Sequence, residues 1–333
     1  MAEGSRAKRM EELARVAEMH YRERLDQKEI ALRIHSSRST VSRMLREAID
    51  LGIVDITIRH PFPRDTQLEQ ELIERFGLAE AWVLGRDSVT TDDDKLAFGA
   101  LGARCIEQQL HDDSSLAICW GRATKLVVEN FHAITGTRVH LIQMIGSMGT
   151  SDSQNDGIEL TRLAARLLGG TYELLNAPLV VDDAVFARSL LRQSAIEKVL
   201  KAAEKADCAL VGLGTIEPSS SAIRSAGYMT DDELAEARRL GAVGDVSGIL
   251  IDAEGKSVTS AFSARVISLP LERLRHIGRI VGVAFGDEKA AIIRAAALGG
   301  HIRILVTDRS AARRVLEISS SEPSHETKRV SNT

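Results

Sequence analysis

The stretch Gly121-Arg122-Ala123-Thr124 lies between an apolar run and a helical one, and residues of this kind can hold an anion. Backbone N–H groups at a helix start, a threonine hydroxyl and the positive end of the helix dipole would converge there on a phosphate. The structural alternative is that Gly121 only permits a tight turn. Lys289 follows Gly286 at the start of a helix expected over 288–298, so its ammonium can reach an anion above a strand end or stand solvated in the first turn. Asp245 lies in the glycine-flanked segment 241–248, where a carboxylate accepts from ligand hydroxyls or caps a turn. A second chemistry sits near the N-terminus. Arg38, Ser39, Ser42, Arg43 and Arg46, flanked by Ser37 and Thr40, would share the outer face of one helix, with no acidic residue between Ile30 and Arg46. Such a face suits phosphate contacts and the bidentate reading of guanine by arginine.

These residues need elements to hold them. Residues 27–45 read as two short helices joined by a tight turn, a helix-turn-helix. Asp26 is expected to cap the first helix and Ser37 the second, with Ile30 and Ala31 facing inward and Val41, Leu45 and Ala48 forming the buried stripe of the second. His35 occupies the turn position that usually takes glycine for a positive φ, and Ser36 the position that usually takes an apolar plug. Residues 7–24 read as a preceding helix with an apolar stripe of Met10, Leu13, Ala14, Ala17 and Tyr21. Gly52 should end the recognition helix before a short strand over 53–58, and His60-Pro61-Phe62-Pro63 marks a domain boundary.

The 333 residues exceed what a DNA-binding module needs and imply about two domains. The net charge is −4, yet residues 1–60 hold 12 Lys and Arg against 10 Asp and Glu, so positive charge concentrates in the helix-turn-helix. That distribution favours sequence-directed docking over bulk attraction to nucleic acid. No apolar run is long enough to span a bilayer and the charged start lacks a signal-peptide core, so a cytoplasmic protein without a membrane partner is expected. Cys105, Cys119 and Cys208 stand in apolar contexts without metal-ligand spacing and read as reduced core residues. Met144, Met148 and Met229 read as packing residues. From about residue 65, apolar strands alternate with helices, the pattern of an α/β domain with a parallel sheet running over 61–318. The clearest strands are 116–120, 139–145, 208–213, 280–285 and 302–306, with helices over 95–110, 123–131, 159–168, 288–298 and 309–317. The Ser-rich residues 319–333 read as a disordered tail.

Taken in order, several motifs resemble the SorC-type sugar-responsive transcriptional regulators of bacteria over nearly the whole chain. They are the 27–45 helix-turn-helix with Gly52-Ile53-Val54, Trp120-Gly121-Arg122-Ala123-Thr124, Val211-Gly212-Leu213-Gly214, Gly241-Ala242-Val243-Gly244-Asp245, Gly286-Asp287-Glu288-Lys289 and Leu305-Val306-Thr307-Asp308. The resemblance implies an effector domain similar to phosphosugar isomerases and deaminases, a phosphorylated sugar or polyol as effector, double-stranded operator DNA as partner, and a homo-oligomer, commonly a tetramer. It makes Lys289 the first-choice basic residue and adds Ser147 and Gln154 to the pocket. No cofactor or metal is expected. Gly212-Leu213-Gly214 is not a dinucleotide fingerprint, because Glu217 takes the next glycine position and a carboxylate opposes a pyrophosphate. The competing class, a phosphosugar isomerase or deaminase with an accessory DNA-binding domain, needs a positioned acid–base pair. No spacing among Asp245, Glu217, Glu288 and the nine histidines supplies one.

Overall fold

The computed structural model describes residues 2–54, 63–133, 137–149 and 156–320. The chain divides into two compact units, Met1–Pro61 and Phe62–Thr333.

The first unit consists of α1 (Ala2–Tyr21), α2 (Gln27–Arg33) and α3 (Arg38–Asp50). Asp26 caps α2 in a reciprocal box, its carboxylate accepting from Lys28 and Glu29 N–H while Glu29 accepts from its own N–H. Ser37 caps α3 by accepting from Thr40 N–H at 3.1 Å. Between them His35 takes φ +51°, the left-handed geometry its position demands. Ser36 is exposed and plugs nothing; the apolar contact comes from Ile34, which packs on the core two residues earlier. That core joins Ile30, Ala31, Val41, Met44, Leu45 and Ala48 to Leu13, Val16, Ala17 and Met19 of α1. The expected stripe on α1 is therefore rotated: Met10 and Tyr21 are 38% and 42% exposed, while Val16 and Met19 are buried. The reason is that α1 packs on both α2 and α3, so its contact face follows two neighbours instead of one heptad-like line. Arg9 fixes this arrangement through two hydrogen bonds to the Glu47 carboxylate, at 3.3 and 2.6 Å. After α3, Ile53 and Val54 bend back with both N–H groups donating to Ala48 O. The remainder of the expected 53–58 strand, and residues 60–62 of the expected boundary, lie outside the described residues.

The second unit is built on strands β1 (Glu80–Leu84), β2 (Ser114–Ile118), β3 (Val139–Gln143), β4 (Thr171–Glu173), β5 (Cys208–Thr215), β6 (Ala242–Val246), β7 (Ile249–Asp252), β8 (Arg279–Val283) and β9 (Ile304–Asp308). Its helices are α4 (Thr66–Phe76), α5 (Asp92–Glu107), α6 (Arg122–Glu129), α7 (Gly157–Leu167), α8 (Ala184–Leu191), α9 (Ser194–Glu204), α10 (Ala222–Ser225), α11 (Asp231–Arg239), α12 (Leu271–Leu274), α13 (Ala290–Leu298) and α14 (Arg309–Ser320). The main sheet runs β1-β9-β8-β5-β2-β3-β4 with every neighbouring pair parallel. Leu116, Ala117 and Ile118 of β2, Cys208 to Val211 of β5, and Ile280 and Val281 of β8 are completely buried. Such uninterrupted apolar strands are what a parallel sheet covered on both faces requires.

The sequence pattern missed the edge strands β1 and β4, and it missed an antiparallel excursion. The glycine-flanked segment 241–248 is part of it: β6 and β7 form a hairpin whose first strand pairs antiparallel with the end of β5, Gly214 opposite Asp245. A 3-10 turn over Asp287–Lys289 precedes α13, so the expected helix starts later than residue 288. At the other end Ser319 and Ser320 belong to α14, and residues 321–333 lie outside the described part.

Candidate functional site

The order of the main sheet places a reversal between β2 and β5. From β2 the chain moves outward to β3 and β4; from β5 it moves the other way to β8 and β9. In an open parallel sheet the crevice at the strands' carboxyl ends opens at such a reversal. A cavity enclosing about 690 Å³, its open mouth included, lies there. Its wall is Trp120, Gly121, Arg122 and Ala123 after β2, Gly212 to Gly214 of β5, and Ala222 and Ile223 of α10. Asp245, Ser247 and Gly248 of the hairpin, with Ala284, Phe285, Glu288 and Lys289 after β8, complete it.

Gly121 has φ +142° and serves as N-cap of α6 without a side-chain cap hydrogen bond among the described residues. The first N–H groups of α6 therefore face the cavity end of the helix without an intrahelical partner, and the dipole adds positive potential there. Arg122 is exposed and donates to Ser220 O at 3.1 Å, tying the β2–α6 loop to the segment before α10. Gly214 has a different task. A side chain there would overlap the Asp245 carboxylate, so the missing Cβ lets the hairpin close onto β5 and carries Asp245 into the cavity.

Asp245 braces a turn and also lines the cavity. Its Oδ2 accepts from Gly248 N–H at 2.9 Å, bracing a two-residue turn in which Ser247 and Gly248 have φ +52° and +79°, and the carboxylate lines the cavity. Burial pushes its pKa up to about 6, with the Gly248 N–H and the charge on Lys289 pulling the other way. Lys289 is only 9% exposed, so it is no solvated first-turn lysine. Burial pulls its pKa down to about 8; Asp245 and Glu288 oppose this, and Arg122 adds to it. Among the described residues the Lys289 ammonium has no hydrogen-bond or ion-pair partner. Two further polar groups of the wall, Trp120 Nε1 and Ser247 Oγ, are buried without partners among the described residues. Neither was singled out from the sequence as a site residue; the positive φ of Ser247 is invisible in its residue type.

Five of the eight expected pocket residues thus meet: Gly121, Arg122, Ala123, Asp245 and Lys289. Thr124 does not line the cavity. It is fully buried, because the first turn of α6 directs its hydroxyl to the sheet, 3.7 Å from Cys119 Sγ. Ser147 is also displaced: its hydroxyl is bonded to Gln143 Nε2 at 3.1 Å and its backbone is paired with Ala177 and Leu179. Gln154 lies outside the described residues. Cys105, Cys119 and Cys208 are free and buried, and Cys119 Sγ accepts from Gly212 N–H at 3.0 Å across the β2–β5 crevice. Among the described residues no His, Cys, Asp and Glu cluster could hold a metal ion, and no helix is long and apolar enough to cross a membrane.

In the first unit Arg38, Ser39, Arg43 and Arg46 are exposed on α3, Thr40 and Ser42 are half-buried, and Val41, Met44, Leu45 and Ala48 are buried on the opposite face. Among the described residues none of the three arginines is paired with a carboxylate. Ser37 is already committed, since its hydroxyl caps α3 and lies 2.8 Å from both Ser39 Oγ and Thr40 Oγ1.

Known proteins resemble this chain over most of its length. Residues 60–317 match the family model of a sugar-binding domain. The chain is 32% identical over 311 residues to the transcriptional regulator LsrR of Klebsiella pneumoniae subsp. pneumoniae, covering 92% of this chain and 93% of that protein. It is 33% identical over 309 residues to LsrR of Escherichia coli K12, covering 92% and 94%. The crystal structure of the full-length sorbitol operon regulator SorC from Klebsiella pneumoniae superposes with a TM-score of 0.70 at 28% identity, covering 92% of this chain and 99% of that one. With a family model matched over most of its length and regulators similar from end to end, the chain belongs to the SorC-type family of transcriptional regulators that carry a sugar-binding domain.

Proposed function

We propose that this regulator docks α3 in the major groove of double-stranded operator DNA and that a phosphorylated sugar or polyol, bound in the cavity at the β2–β5 crevice, controls that docking. The observation that carries the reading is the convergence of an uncapped helix start, Arg122, Lys289 and Asp245 on one cavity. Backbone N–H groups and two cationic side chains suit the anionic end of such a ligand, and a carboxylate suits its hydroxyls. On the DNA side, Arg38, Arg43 and Arg46 are available for phosphates and guanine edges, with Ser39, Thr40 and Ser42 between them. Ser37 acts as the cap that holds the helix. The protein works as a cytoplasmic homo-oligomer, a tetramer, in which one arrangement of paired recognition helices binds the effector more tightly than the other. It is not an enzyme and uses no cofactor.

The test combines a thermal-shift screen of sugars, polyols and their phosphates with operator binding by fluorescence anisotropy. Arg43→Ala should weaken operator binding by about 1–3 kcal/mol and leave effector-induced stabilisation unchanged. Lys289→Ala should abolish the stabilisation and spare operator affinity. Unchanged operator affinity in the first variant would remove α3 as the DNA face, and retained effector affinity in the second would remove Lys289 from the pocket. Turnover of the best ligand would return the chain to the enzymes.

A further inference from the structure

Lys289 combines features that phosphate recognition alone does not require. It is buried, it lines the cavity, and among the described residues its amine is unpaired, although a carboxylic acid group lines the same wall. Arg122 and the uncapped start of α6 already supply an anion with positive partners at the β2 side of the cavity. Lys289 enters from the β8 side and Asp245 from the hairpin. An amine held this way is equipped for carbonyl chemistry, as desolvated lysines are elsewhere.

We propose that Lys289 captures a carbonyl-bearing effector covalently and reversibly, as an imine between its Nζ and the open-chain aldehyde or ketone of a phosphosugar; this rests on the effector reading of the same cavity. Neutral Nζ adds to the carbonyl carbon, and a proton moves from nitrogen to oxygen to give the carbinolamine. The Asp245 carboxyl then protonates that hydroxyl, which leaves as water while the C=N bond forms. The resulting iminium cation faces the Asp245 carboxylate, so charge is balanced and no oxidant or reductant is consumed. The groups facing the amine are Asp245, Glu288 and Arg122. Burial together with the Arg122 charge keeps part of the lysine neutral near pH 8, and burial keeps part of Asp245 protonated near pH 6, so capture is expected to be fastest between these values. Polyol phosphates lack the carbonyl and are held by the non-covalent contacts alone. The cavity would thereby distinguish an aldose or ketose phosphate from its reduced counterpart by residence time.

The full-length protein is incubated with phosphates of aldoses and ketoses, trioses to hexoses, and with the matching polyol phosphates, with and without sodium cyanoborohydride. Melting temperature reports binding, and intact mass with peptide mapping reports the reduced adduct. A carbonyl phosphosugar that raises the melting temperature should leave an adduct on Lys289, and its polyol counterpart should leave none. Lys289→Arg should lose the adduct, and Asp245→Asn should form it more slowly. Should Lys289→Arg fail to fold, protection of Lys289 from labelling by prebound polyol phosphate in the unaltered protein makes the same distinction. Stabilisation without an adduct at Lys289, or labelling no greater than at exposed Lys198, overturns the imine and leaves the effector reading standing. Stabilisation by no member of the panel overturns both.

Discussion

The face of α3 and the cavity at the β2–β5 crevice are built on opposite plans. On α3, every residue of the arginine-serine face comes from one continuous segment, and helical periodicity alone sets it opposite the buried stripe. The cavity draws its wall from five separated stretches, after β2, at the end of β5, on α10, on the β6–β7 hairpin and after β8. Its polar groups are not merely exposed on a surface; Asp245 and Lys289 are buried at a cost reflected in both pKa shifts. A local motif tolerates solvent around its charges, whereas an assembled pocket depends on backbone proximity and keeps its charges out of solvent.

Substitutions can break this contrast, and the largest effect belongs to the pocket. Gly214→Ala places a methyl group on the Asp245 carboxylate, so the hairpin must move. The variant should lose about 1–3 kcal/mol by urea denaturation, as overpacked sites do, together with its response to effector. If it keeps full effector affinity, the close approach of β6 to β5 is not what positions Asp245.

Next comes Asp245→Asn, whose effect is set by pH. The folded-state pKa of Asp245 is raised from 3.8 to about 6, so the folded protein binds this proton more tightly than the unfolded chain. The stability linked to that proton is present below pH 3.8 and lost as pH rises through 6. The amide escapes the loss, so the variant's melting temperature should exceed the parent's at pH 7.5 and approach it as pH falls toward 4. A constant difference across that range would mean that Asp245 pays no ionisation penalty in the fold.

The smallest effect is expected on α3. Ser37→Ala removes the cap hydrogen bond to Thr40 N–H and should lower stability of the first unit by about 1 kcal/mol, read by circular dichroism melting. Under the proposed docking, the operator contacts of Arg43 should survive in the helix that remains. A loss of operator affinity as large as that of Arg43→Ala would make Ser37 a DNA contact in its own right and narrow the difference between the two regions.

The caps at Asp26 and Ser37, the inward faces of α2 and α3 and the left-handed position at His35 were legible because each depends on residues within one or two helical turns. The apolar stripe of α1 was legible at Leu13 and Ala17 but not at its ends, since two packing partners choose its buried face. Parallel strands were legible as apolar runs. The hairpin was not, because Asp245 and Gly214 are neighbours only through antiparallel pairing of segments about 30 positions apart. Adjacent positions in the first turn of α6 also diverged: Ala123 lines the cavity while Thr124 turns its hydroxyl into the core.

By itself the sequence determined the helix-turn-helix, the alternation that requires a covered parallel sheet, and the glycine-marked strand ends, because periodicity, capping and backbone freedom are local properties of a chain. Only the tertiary structure decided which strand ends face one another, that Gly214 admits Asp245, and that Lys289 is buried and, among the described residues, unpaired. Those depend on strand order and close backbone approach, and a linear spacing carries neither.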